Sequence, residues 1–145
     1  MRLIFRTLFV LLLVGQSACS SFGKPQAIER KHYESYEKDI GYAQVVRSGK
    51  TLYVSGVVSF ASSFVLQLQE NYTTINKILK DYGVDTRSIV KETIYTRDME
   101  ALKLAIPQRK AFFQDDAYPA ASWVQISRLF DEKNLLEIEV EVHLP

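Results

Sequence analysis

The sequence predicts an α+β domain of order β-β-α-β-α-β-β, a mixed sheet with two helices on one face. Three observations carry this. Leu136, Ile138, Val140, Val142 and Leu144 alternate with Glu137, Glu139, Glu141 and His143, the period-two pattern of a strand buried on one side. Phe64, Leu68, Tyr72, Ile75, Leu79 and Tyr82 recur at spacings of three and four, one apolar stripe of a helix. Hairpin and helical segments succeed one another along the chain, as in domains that segregate helices onto one face of a sheet.

Taken in order, Gly41 to Arg47 and Thr51 to Val58 form a hairpin across Ser48-Gly49-Lys50, where Gly49 supplies the permissive backbone. Ser62 or Ser63 offers an N-cap for the striped helix, and Gly83 closes it. The stripe is core rather than a ligand box. Ile89 to Thr96 is a further β-rich run. Asp98 caps a helix beginning at Met99, whose buried face continues through Leu102, Ala105, Phe112 and Phe113. Pro107 interrupts that helix, predicting a kink near Ile106 or a break at which Pro107 opens a second short helix. Ser122 to Arg128 and Leu135 to Leu144 are the last strands, joined by the polar Asp131-Glu132-Lys133-Asn134. One face of such a sheet stays open in a single copy and invites burial against other copies.

The chain of 145 residues fits one domain and can bury a core without disulfides. Its formal charge of +1 is spread without a basic cluster, so no nucleic-acid stripe is present. Two histidines, His32 and His143, and the single Cys19 are too few for a Cys/His zinc site, and no metal motif or cofactor is expected. Residues 1–18 read as an export signal: Arg2 and Arg6, the apolar run Leu8 to Val14, then Gly15-Gln16-Ser17-Ala18 before Cys19. The run is too short for a permanent bilayer span. Ala18-Cys19 resembles a bacterial lipobox, with Gln16 where an aliphatic residue is usual. That resemblance implies an acylated Cys19 and, with Ser20 after it, the outer membrane facing the periplasm. A soluble signal cleaved near Ala18 and an uncleaved anchor are the alternatives. Without Arg2 and Arg6 the remaining chain carries a net charge of −1. Residues 19–39 read as a polar tether between lipid and domain, leaving 40–145 as the domain.

Four motifs in order resemble the Rid/YjgF family of imine and enamine deaminases, across about residues 40–144. They are Ile40-Gly41-Tyr42-Ala43-Gln44, Leu52-Tyr53-Val54-Ser55-Gly56, Ile89 to Tyr95 leading into Arg97-Asp98-Met99, and Pro119-Ala120-Ala121-Ser122 followed by the Glu137-Ile138-Glu139 strand. The resemblance implies a chorismate-mutase-like fold, a homotrimer, and a small-molecule site between subunits. There an arginine grips the substrate carboxylate, backbone groups near Ser-Gly hold the nitrogen and its water, and a glutamate moves protons. Carried over residue by residue, Tyr42, Ser55 and Gly56 match the pocket and Glu137 matches the glutamate. On residue type alone Glu137 belongs to a solvated strand face, since Glu139 and Glu141 share its side.

Two positions depart from the family. Ala121 stands where the arginine should be, and Ile106 where many members carry asparagine. Losing an arginine–carboxylate fork costs on the order of 2–5 kcal/mol when the partner charge is buried, roughly two to three decades in binding. Trp123 lies two residues on and shares Ala121's face of a strand. It either fills the vacated space, walls a pocket for a less anionic ligand, or packs at a subunit interface. Arg97, Arg109 and Arg128 are the candidates for a substitute cation. Two functions follow: an envelope-anchored protein binding a small metabolite, with the usual 2-imino acid deaminase activity in doubt, or a divergent deaminase for another imine or enamine. RNA cleavage, a label sometimes attached to the family, finds no basic groove here.

Overall fold

A computed structural model describes residues 27–145, so the export segment 1–18 and Cys19 lie outside the described residues. Six strands, β1 (Ile28–Lys31), β2 (Val45–Ser48), β3 (Thr51–Val57), β4 (Ile89–Thr96), β5 (Ala120–Gln125) and β6 (Leu136–His143), form one sheet in the order β1-β2-β3-β6-β4-β5. Only β4 and β5 pair in parallel; the other neighbours are antiparallel. The helices are α1 (Tyr36–Ile40), α2 (Phe64–Asp81), α3 (Met99–Leu104) and α4 (Ile106–Phe112).

The alternation of β6 sorts the two sheet faces. Leu136, Ile138, Val140 and Val142 are buried with Leu52, Val54 and Ile94 against Leu68, Ile75, Ile78 and Leu79 of α2. Leu68, Ile75 and Leu79 belong to the predicted stripe, which Ile78 widens into the lid of the core. Ser63 caps α2 by accepting from Leu66 N, and Asp98 caps α3 by accepting from Ala101 N. The proline breaks the second helical segment in two, with Pro107 in the first turn of α4, where its missing N–H costs nothing. The opposite face carries Tyr53, Thr93, Tyr95, Glu137, Glu139 and Glu141 with no layer of described residues over it.

The domain begins earlier than expected. Residues 28–40 belong to it rather than to a tether: β1 pairs with β2, from Ile28 opposite Ser48 to Lys31 opposite Val45. The chain is held there by polar contacts that hydropathy does not show. Lys31 Nζ lies 2.8 Å and Tyr33 Oη 2.9 Å from Asp81 at the end of α2. The carboxylate of Glu37, fully buried, accepts from the backbone N–H groups of Tyr33, Glu34 and Gln44.

Candidate functional site

Glu37 also sets the start of the site. Gly41, at φ 95°, ends α1 in the left-handed conformation open to glycine, and both Gly41 N and Tyr42 N donate to Glu37 O. The chain leaves this cap with Tyr42 turned toward the end of β3. There Ser55 and Gly56 form a β-bulge, two residues between the Val54–Val140 and Val57–Ile138 pairs where β6 has one. The bulge is pinned to the preceding segment: Ser55 N donates to Gln44 O (2.9 Å), Gln44 Nε2 to Ser55 O (2.8 Å) and Ser55 Oγ to Ala43 O (2.8 Å). Glu137 enters from β6 and lays its carboxylate over Gly56, in the space a Cβ at position 56 would occupy.

Tyr42, Ser55, Gly56 and Glu137 thus line one cleft of about 530 Å³. Its remaining wall is largely apolar: Tyr36 and Ile40 from α1, Val58 and Phe60 after β3, and Phe130 before β6. Asp131 and Asn134 complete it. Asn134 is buried and donates to Ser59 O at 2.8 Å, tying the loop before β6 to the loop after β3.

The charges on the open face are unequal in partnership. Glu141 lies 3.6 Å from Lys91, and Glu139 accepts from Tyr95 Oη at 3.4 Å. No described residue donates a hydrogen bond or ion pair to Glu137. Burial holds its carboxyl above the usual range, and the charge of Glu139 adds to this. The Tyr42 hydroxyl is pushed up to about 12, first by burial, then by Tyr36 and the charges of Glu37 and Glu137. Tyr42 is therefore a neutral hydrogen-bonding group, and Glu137 a carboxylate suited to taking or giving a proton.

Ala121, Trp123 and Ile106 are elsewhere. In the parallel β4–β5 register Glu92 faces Ala121 and Ile94 faces Trp123, which puts both β5 residues on the helix side, opposite Glu137. The two do share a face, as expected, but Trp123 does not stand beside Glu137 within one chain. Ile106 opens α4, half-buried.

Next to them lies a buried polar group. Arg109 of α4 donates from Nε to Glu92 Oε2 (2.8 Å), with Nη2 2.6 Å from the same oxygen, and Tyr72 Oη donates to Glu92 Oε1 (2.7 Å). The Arg109 guanidinium also sits 5.1 Å from the Trp123 ring centroid and 4.9 Å from that of Phe113. So Trp123 packs on an arginine that is already paired. The other two candidate cations are not among the residues that line the cleft. Arg97 Nη1 reaches the carbonyl of Glu132 (2.5 Å), and exposed Arg128 faces Glu132 at 4.0 Å.

The sequence reading missed the aromatic wall and the Glu92–Arg109 pair. Arg109 did carry a signal: it falls four residues after Ala105 and seven after Leu102, on the buried helical face. Glu92 likewise sits two before Ile94, in the inward phase of its strand. Two opposite charges, each in a core phase, mark a pair. Among the described residues no group of His, Cys, Asp and Glu is placed to hold a metal.

Comparison with known proteins agrees with this architecture. The family model described as endoribonuclease L-PSP matches residues 35–144. A RutC family protein of Pasteurella multocida is 25% identical over 109 residues, 68% of this chain and 84% of that protein. A member of the YjgF/YER057c/UK114 family from Mycobacterium tuberculosis superposes with a TM-score of 0.74 at 21% identity, over 81% of this chain and 100% of its own. A YjgF family protein from Neisseria meningitidis gives 0.73 at 20% identity, over 84% and 98%. With the family model matched over residues 35–144, the chain belongs to the endoribonuclease L-PSP family, the YjgF/Rid family whose fold its structural neighbours share.

Proposed function

We propose that this chain binds a small metabolite in the cleft of Tyr42, Ser55, Gly56 and Glu137, with little or no activity on 2-imino acids. The observation that carries this is the charge of the cleft. Among the described residues its lining holds Glu137 and Asp131 and no lysine, arginine or histidine. A 2-imino acid would bring its carboxylate to a site with no cation to receive it. Ala121 offers none, and Arg109 is bound to Glu92.

The reading includes a homotrimer in which Ala121, Trp123 and Ile106 of one copy face the cleft of the next. What supports it is that Ala121 and Trp123 occupy the sheet face opposite Glu137, so the two groups can meet only between copies. It also includes an envelope location through a lipid on Cys19, in the outer membrane facing the periplasm. A palmitate analogue should label wild type and not Cys19→Ala.

The test of the main reading is ammonia release from freshly generated 2-iminobutanoate. Wild type should be near the uncatalysed rate, and Ala121→Arg, at an exposed position, should gain activity. Wild-type turnover equal to that of an arginine-bearing relative would overturn it. A second reading, a divergent imine or enamine hydrolase for an uncharged substrate, is favoured by one observation. Glu137 is half-buried with a raised pKa, beside the polar groups of the Ser55-Gly56 bulge, as a general acid/base requires.

A further inference from the structure

We infer that the cleft selects an organic cation, an amine or iminium carried on an apolar or aromatic group and lacking a carboxylate. This rests on the cleft being a small-molecule site and adds the charge class of its occupant.

Three features converge. The first is the pair of carboxylates. Glu137 has no described partner, and Asp131 uses Oδ1 to accept from Lys133 N at 2.8 Å, leaving Oδ2 free. With no basic side chain among the described lining residues, this chain puts no positive group of its own in competition with a ligand cation. The second is the aromatic wall. Tyr36, Phe60 and Phe130 are 52%, 65% and 83% exposed around the cleft in a single copy, so their ring surfaces are open to an occupant of the site. Ring faces attract ammonium and iminium groups, more so where carboxylates also withdraw them from solvent. The third is size: about 530 Å³ lies within the range of small-molecule sites. An anion of the same shape would meet Glu137 with nothing to offset the repulsion.

The test uses three ligands of one shape and different charge: phenethylamine, 2-phenylethanol and phenylacetate, titrated calorimetrically into the mature protein at pH 7. Phenethylamine should bind about ten-fold or more tighter than phenylacetate, with 2-phenylethanol between them. Glu137→Gln, which keeps the side-chain shape, should bring the amine down to the level of the alcohol. Phe130→Ala, at an exposed loop position, should weaken all three. Phenylacetate binding as tightly as phenethylamine would overturn the charge class while leaving the cleft a small-molecule site. An amine preference that survives both Glu137→Gln and Asp131→Asn would also overturn it. Binding of none of the three up to millimolar concentration would overturn the inference and the small-molecule site together. In that case the aromatic rim would be a surface for a further copy of the chain.

Discussion

The carboxylate of Glu137 occupies the place where a side chain at Gly56 would begin. The bulge in β3 and the glutamate on β6 are therefore one device: the strand yields two residues against one so that the carboxylate can lie against bare backbone. Gly56→Ala should push the carboxylate aside. We expect a loss of about 1–3 kcal/mol, typical of overpacking, in urea unfolding. Cleft ligands should be lost with it. A variant of full stability that still binds would mean that Glu137 swings freely.

The same glutamate should make stability depend on pH. Its folded pKa is raised by burial and by Glu139, so the folded state holds this proton more tightly than the unfolded chain does. Below the ordinary glutamate range the group costs nothing. As pH rises through the folded pKa, ionisation in the cleft destabilises the fold. Glu137→Gln should then raise the unfolding free energy at pH 7, by less than about 1 kcal/mol since the side chain is only half-buried, and the gain, read in urea unfolding, should vanish at pH 4. Equal gains at both pH values would contradict this origin.

How much of this was legible in the sequence depends on which physics placed each residue. Period-two alternation fixed β6, and the caps at Ser63 and Asp98 and the break at Pro107 were all readable because each acts within a few residues. β1 was not, because Ile28–Lys31 is polar and largely exposed, and its place depends on pairing with β2 and on Asp81, 50 residues from Lys31 in sequence. β5 starts at Ala120 rather than Ser122 because pairing with Lys91 of β4 sets its edge. Tyr42, Ser55, Gly56 and Glu137 came together through family resemblance, whereas Phe60 and Phe130 lie in loops whose convergence no local pattern encodes.

Glu37 should be the keystone of the N-terminal segment. It is buried at 1% exposure, and its two oxygens serve three backbone N–H groups on both sides of α1. Glu37→Ala leaves those donors unpaired, at about 1–3 kcal/mol for a buried one such as Gln44 N. Because β1 is an edge strand, the loss should be local. Hydrogen exchange should accelerate over β1 and the paired amides of β2, while α2 and β6 keep their protection. Uniform acceleration across the sheet would show instead that the segment is part of the global unfolding unit.

The Glu92–Arg109 pair should show the asymmetry of buried charges. Both side chains are almost wholly removed from water, at 0% and 6% exposure, and Tyr72 completes the carboxylate's partners. Breaking such a pair from one side strands a buried charge. Arg109→Met and Glu92→Gln should each cost about 3–5 kcal/mol, while replacing both partners should cost less than either single change. Tyr72→Phe should cost about 1.5–3 kcal/mol, the value of a hydrogen bond to a charged group. The pair also bears on Ala121, which neighbours Glu92 across the β4–β5 register. An arginine introduced at 121 meets Glu92 already neutralised by Arg109, so its charge remains available to a ligand. In the Glu92→Gln background, Arg109 is released as an unpaired cation, and anion binding should rise there even with Ala121 in place. A measured phenylacetate affinity unchanged by Glu92→Gln, in protein shown folded by its melting curve, would mean that Arg109 stays sealed beneath Trp123 and cannot serve the neighbouring site.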